Sequence, residues 1–139
     1  MVRKKSVTTR KPHNIDATLT LELRSMYKLL PLLSPDTPKN VIIYAVKQRC
    51  GRAYFGKRMI TVPVWAMKRP KGEGYVLYYL AHELAHIANQ DAGTSDNHGP
   101  CFMAHFRKLC PVQYQHWELG YKPRRAAAAG IREKRRVVL

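Results

Sequence analysis

The chain has 139 residues, which suits one domain with tails. Because 45% of the residues are hydrophobic, the domain can bury a core without disulfides. It has no apolar run near the ~18 residues of a membrane span, and no secretory signal is recognised. Its three cysteines form no C-x-x-C pair. We therefore expect a protein of the cytoplasm, nucleoid or nucleus that is not secreted. The net charge of +16 favours a polyanionic partner.

The positive charge is concentrated at the two ends of the chain. Residues 1–11 carry +5 and residues 122–139 carry +6, while the middle carries the remaining +5. We therefore divide the chain into a basic tail (1–13), a domain (14–123) and a second basic tail (124–139). Blocks of like charge this dense commonly bind nucleic acid, with DNA favoured here; the alternative is that the tails are simply solvated.

The first predicted element of the domain is a helix that follows Asp16. Its apolar residues recur at helical spacing, and Pro31 is expected to end it. These apolar residues are Leu19, Leu23, Met26, Tyr27 and Leu30.

Two short β-branched segments, residues 41–46 and 59–65, are predicted strands. They favour a small antiparallel sheet over residues 40–66. Pro63 cannot donate to a ladder, so its strand should be an edge strand or carry a bulge. An edge around Thr61–Trp65 would be able to pair with an extended substrate peptide.

The strongest predicted helix runs from Tyr75 to about Gln90. Its apolar residues share one arc of the helical wheel, and the two histidines lie away from that arc. The predicted core face comprises Val76, Leu77, Leu80, Ala81, Leu84, Ile87 and Ala88. A further helix is predicted from Pro100 to Pro111, with Gly99 as its cap.

The sequence His82-Glu83-Leu84-Ala85-His86 places an H-E-x-x-H pattern inside this strongest helix. Side chains four apart lie ~40° apart around a helix and one turn up, so both imidazoles can bind one metal ion. Zn²⁺ suits such ligands and leaves a position for a water whose pKa falls toward ~7, and Glu83 can then take its proton. The pattern alone is only moderately specific for a metal site, because paired helical histidines often have a purely structural role.

A third ligand is needed, and several downstream residues are candidates. The metzincin spacing is excluded, since Asn89 and Ala92 stand where it requires glycine and histidine. His98 is favoured, because the turn before it can fold the chain back, whereas His105 lies on an apolar stripe that favours packing. The candidates are His98, His105, His116 and Glu118.

The H-E-x-x-H pattern is followed along the chain by His98-Gly99-Pro100-Cys101-Phe102. With these two motifs the chain resembles the SprT-like metallopeptidases and their WLM relatives over about residues 40–110. The resemblance implies an α+β fold: a minimal zincin-like domain with a small antiparallel sheet, an N-terminal helix, an active-site helix and a following helix. It implies zinc held by His82, His86 and His98, with Glu83 as general base. Several members of that family cleave proteins bound or crosslinked to DNA.

We therefore expect a zinc-dependent endopeptidase that acts on a protein substrate at or near nucleic acid. Tyr121 and His116 are candidate donors to the carbonyl oxygen. The loop residues Asp91, Asp96 and Asn97 are candidate hydrogen-bond partners of the ligand histidines, and the favoured interpretation is that they are turn and capping residues. The alternatives are a nucleic-acid-binding protein whose zinc site is structural or inactive, and a component of a larger nucleoprotein assembly.

Overall fold

A computed structural model describes residues 11–54, 56–68, 73–94 and 96–118, where helices pack on a three-stranded sheet. The predicted α+β class is confirmed. Most of both predicted tails lies outside the described residues. The elements are α1 (Ala17–Leu33), β1 (Ile42–Val46), β2 (Arg52–Tyr54), β3 (Met59–Pro63), α2 (Val64–Met67), α3 (Glu73–Asp91), α4 (Pro100–Leu109) and a 3₁₀ turn (Val112–Tyr114).

The sheet has the order β1-β3-β2 and is mixed, so the expected antiparallel sheet is wrong in part. β2 runs antiparallel to β3, but β1 runs parallel to it, with Ile43 opposite Ile60. Residues 47–58 give the chain the length of about a dozen residues that a parallel connection needs. Short β-branched runs predict that strands exist, but they carry no information about strand direction.

The strand that contains Thr61 is central, so the prediction that it forms an edge is wrong. All five residues of β3 are buried between its two neighbours. Pro63 is tolerated because it is the last residue of the strand. The chain then turns into α2, which removes Trp65 from the strand. The edge strand beside the candidate site is β2.

Helix α1 begins where the sequence predicts and ends later. The Asp16 side chain accepts a hydrogen bond from the Leu19 backbone N–H at 2.9 Å, which is an ordinary N-cap. The helix continues through Pro31 to Leu33, so the predicted end is too early. Because Pro31 lies in the last turn, its missing N–H leaves only the carbonyl of Tyr27 without a helical donor.

The core lies between the sheet and the three longer helices. Five of the seven predicted core residues of α3 are buried, while Leu77 and Ala88 are partly buried. Helix α4 contributes Phe102 and Phe106, both fully buried. No helix among the described residues is long and apolar enough to cross a membrane. The buried residues of the α3 face are Val76, Leu80, Ala81, Leu84 and Ile87.

Two leucines of α1 test this packing. Leu30 is 1% exposed and Leu32 is 82% exposed, although they lie two residues apart. We expect Leu30→Ala to lower the free energy of unfolding by about 2–5 kcal/mol. Leu32→Ala should change it by less than about 0.5 kcal/mol. Urea denaturation followed by circular dichroism measures both, and equal losses would contradict the packing described.

Candidate metal centre

Helix α3 brings the two histidines of the H-E-x-x-H pattern to one site. The ring centroids of His82 and His86 lie 5.2 Å apart. His86 and Glu83 are buried at 8% and 6% exposure, although both lie outside the apolar arc of the helix. The chain after α3 folds back over this face, where His98 and Phe102 lie against His86.

His98 returns to α3 on the loop before α4, as the sequence predicts. Its Nε2 lies 3.2 Å from the Nε2 of His82 and 3.2 Å from the Nε2 of His86. One ligand atom from each of the three residues lies within 4.8 Å of the others. The three histidines are therefore close enough to bind a metal ion.

Two of the other candidate ligands lie elsewhere. His105 lines a separate cavity between α4, the end of α3 and the segment that contains Asp36 and Pro38. His116 is exposed, and its Nδ1 lies 3.1 Å from the carbonyl oxygen of Gln113. Neither belongs to the three-histidine group. His116 is also absent from the lining of the cavity above the site, and Tyr121, the other candidate oxyanion donor, lies outside the described residues.

Asp96 fixes the loop that carries His98. Its carboxylate accepts hydrogen bonds from the side chain of Asn89 at 3.0 Å and from the backbone N–H groups of Cys101 at 2.6 Å and Phe102 at 3.0 Å. Desolvation raises the pKa of Asp96, but these hydrogen bonds together outweigh it and hold the pKa below its ordinary value. The capping interpretation of Asp96 is thus confirmed, and the cap joins the loop to both helices.

The same loop holds two residues in an unfavourable backbone conformation. The backbone φ angle is 37° at Asn97 and 73° at His98. Both values lie in the left-handed region, which residues other than glycine seldom adopt. Such residues persist where the surrounding structure fixes them, at a cost on the order of 1–3 kcal/mol each. The Asp96 hydrogen bonds supply that constraint, and the conformation turns the His98 ring toward α3.

The ring of Phe102 packs against all three imidazoles. Its ring centroid lies 5.1 Å from that of His82, 4.5 Å from that of His86 and 4.9 Å from that of His98. Phe102 is fully buried and belongs to the core. One side chain therefore both packs the core and limits how far each ligand ring can tilt.

Glu118, which the sequence left as a candidate ligand, lies behind His82 instead. It is fully buried, and its Oε1 lies 2.9 Å from Nδ1 of His82 and accepts a hydrogen bond from the Tyr78 hydroxyl at 3.0 Å. Burial raises the pKa of Glu118, but the contacts with His82 and Tyr78 outweigh it and give a net decrease. Sequence reasoning missed this role because it predicted no structure for the segment that carries Glu118.

Burial shifts the pKa values of two ionisable groups of the site, His86 and Glu83. It lowers the pKa of His86 to about 3, helped by the neighbouring His82 and His98, so this imidazole is neutral at pH 7, the form that binds metal. Burial also raises the pKa of Glu83 to about 7, although His82 acts in the opposite direction and Glu118 adds to the increase. Glu83 can therefore exchange a proton near neutral pH.

A cavity of about 510 Å³ opens over the histidines. Gly51 borders it, and its N–H donates to the Tyr79 hydroxyl at 2.9 Å. A Cβ at Gly51 would lie 2.3 Å from the carbonyl oxygen of Thr61, so a side chain there would push this wall away. The lining comprises Gly51, Arg52, Ala53, His82, Glu83, His86, Asn97 and His98.

No protein-family model, curated protein or solved structure matches this chain. The resemblance to SprT-like metallopeptidases therefore stays a prediction carried by the two histidine segments.

Metal content per chain tests the centre directly. We expect one metal ion per wild-type chain and a sharp loss in His98→Ala, because this change removes one of three ligands. His105→Ala is the matched control: it also removes a histidine, but one in the middle of α4 and outside the ligand group, and it should keep the ion. Metal analysis by mass spectrometry after gel filtration gives the result. Full retention of metal by His98→Ala would contradict the assignment.

Proposed function

We propose that this protein is a zinc-dependent endopeptidase that hydrolyses proteins at or near nucleic acid. The observation that carries the proposal is the 3.2 Å spacing between the Nε2 of His98 and those of His82 and His86. Zinc–nitrogen bonds of 2.0–2.1 Å at tetrahedral angles separate their nitrogens by about 3.3–3.4 Å. Mg²⁺ and Ca²⁺ prefer oxygen ligands, so an all-imidazole set favours zinc over these two ions.

The ligand count and the cavity favour a catalytic over a structural zinc site. Structural zinc is normally closed by four protein ligands, whereas catalytic zinc keeps one position open. Three histidines make up the ligand group among the described residues, and a cavity of about 510 Å³ lies over them. A zinc ion held there supplies Lewis-acid chemistry that polarises a carbonyl group and acidifies water.

Glu83 is the proposed general base. It borders the cavity, is 6% exposed and has a pKa raised by burial to about 7. Its carboxylate can accept a proton from the attacking water and return it to the leaving amine. A zinc site that was only structural would have no use for a buried carboxylate bordering its cavity.

The substrate chain has a place to bind along β2. This strand is at the edge of the sheet, and Gly51, Arg52 and Ala53 border the cavity. Extended peptides commonly add to such edges through main-chain hydrogen bonds. This supports a polypeptide substrate bound at β2, in place of the strand that the sequence suggested.

Charge supports a nucleic-acid partner and also the second candidate function. The chain carries +16, most of it on the two ends. A binding protein with an inactive zinc site, alone or within a nucleoprotein assembly, would share this charge. It would not need Glu83 in the cavity, which is why the peptidase is preferred.

Glu83→Gln separates the two functions. We expect peptidase activity to fall by about 10²–10⁴-fold, since the proton acceptor is lost, while zinc content is unchanged. Glu22→Gln, an exposed position on α1, is the matched control and should keep full activity. Cleavage of denatured proteins, with and without DNA, followed by gel electrophoresis measures this. Undiminished cleavage by the zinc-loaded Glu83→Gln variant would refute the assigned mechanism.

Removal of the tails tests the nucleic-acid partner. Deletion of residues 1–11 and 124–139 takes away ten of the sixteen net positive charges. We expect weaker DNA binding and a flatter dependence of log K on log salt, by about 0.9 for each phosphate that the tails no longer neutralise. Lys28→Gln, on the exposed side of α1, should change the slope by no more than about 0.9. Fluorescence anisotropy at several salt concentrations measures the slope, and an unchanged slope would assign binding to the domain itself.

A further inference from the structure

A buried carboxylate lies behind one of the three imidazoles, on the side away from the ligand nitrogens. We propose that Glu118 is a positioning residue for the zinc centre, which acts by holding His82 in the tautomer and orientation that metal binding requires. This inference rests on the proposed zinc site. It assigns to Glu118 a role distinct from that of a ligand or a base.

The direction of the hydrogen bond determines the tautomer. Oε1 of Glu118 lies 2.9 Å from Nδ1 of His82, and an ionised carboxylate can only accept hydrogen bonds. Nδ1 must therefore carry the proton, which leaves the lone pair of a neutral imidazole on Nε2. That atom lies 3.2 Å from Nε2 of His98, inside the ligand group. Carboxylates that bind the second nitrogen of a ligand histidine fix its ring and increase its basicity.

The carboxylate is itself held rigidly. The Tyr78 hydroxyl, one turn before His82 on α3, donates to the same Oε1 at 3.0 Å. Trp117, next in sequence to Glu118, packs on Tyr75 and Tyr78 with ring centroids 5.2 and 5.9 Å apart. These contacts attach the segment that carries Glu118 to the same helix that carries His82.

Close packing on α3 extends to the 3₁₀ turn. A Cβ at Gly74 would lie 2.7 Å from the ring of Tyr114, so the absence of a side chain there lets Tyr114 approach the helix. The side chain of Gln115 donates to the carbonyl of Cys110 at 2.8 Å and fixes the start of the segment. Glu118 therefore reaches His82 through a docked segment and not through a loose end.

The charge of Glu118 is only partly compensated within the described residues. The side chain is fully buried, and its Oε2 has no hydrogen-bond partner there. Burying a half-satisfied carboxylate is costly, and an apolar residue would serve packing alone better. A divalent cation on the far side of the His82 ring would offset this negative charge. This gives a physical reason for a carboxylate at a position that packing alone would fill with an apolar side chain.

The test compares the zinc affinity of the full-length protein with those of Glu118→Gln, Glu118→Ala and Glu22→Gln. Gln keeps the shape and an acceptor oxygen but removes the charge, whereas Ala removes the acceptor. We expect Glu118→Gln to weaken zinc binding by about 10–100-fold and Glu118→Ala by at least as much. Glu22→Gln, which removes an exposed carboxylate on α1, is the control and should stay within about threefold of wild type. Competition with a chromogenic chelator measures all four proteins.

A second readout separates positioning from simple stability. In ¹⁵N-labelled wild type, NMR of the His82 side chain should show a protonated Nδ1, and Glu118→Ala should lose this preference while His86 keeps its signals. If Glu118→Ala does not fold, Glu118→Gln still decides through zinc affinity. Wild-type affinity in Glu118→Gln, or an equal loss in Glu22→Gln, would overturn the proposal.

The outcome is separable from that of the proposed function. If the wild type binds zinc without cleaving protein, and Glu118→Gln weakens zinc binding, positioning stands and the peptidase fails. If the wild type cleaves protein and Glu118→Gln binds zinc normally, the peptidase stands and positioning fails.

Discussion

The site depends on bringing the His98 ring, from a loop, to 3.2 Å from two rings on α3. Chain entropy opposes this, and so does the left-handed backbone at Asn97 and His98. The hydrogen bonds of Asp96 offset both of these costs, because its carboxylate accepts from Asn89 on α3 and from two backbone N–H groups at the start of α4. Gly99 makes room for that carboxylate, since a Cβ would lie 2.7 Å from its Oδ2.

The core and the site share elements, which explains why so short a domain can hold the site rigidly. Helix α3 buries Leu80 and Leu84 on one face and carries the histidines on another. Phe102 belongs to the core and also contacts all three imidazoles. Closely packed interiors transmit displacements, so a change in this core should also move the ligands.

Much of the site follows from the sequence, because its signals are local. The spacing of His82 and His86 on an amphipathic helix determines that their rings lie one turn apart. Gly99-Pro100 marks the start of α4, and the short turn before it makes the return of His98 feasible. Asp16 predicts the start of α1 for the same reason, since an N-cap acts within one turn.

What the sequence did not predict depends on contacts between distant segments. The direction of β1 relative to β3 and the central place of β3 are set by the packing of the sheet, which short apolar runs do not encode. Pro31 is tolerated because it lies in the last turn of α1. The sequence did not predict this because it did not show how far the helix extends. The pairing of Glu118 with His82 joins residues 36 apart through a segment with no periodic pattern.

We propose an open zinc site made by three imidazoles. X-ray absorption at the zinc edge, on the purified full-length protein at neutral pH, tests it most directly. We predict three imidazole nitrogens and one further light atom at about 2.0–2.1 Å from the zinc. A sulfur ligand at about 2.3 Å, a fourth imidazole or a six-oxygen shell would contradict it.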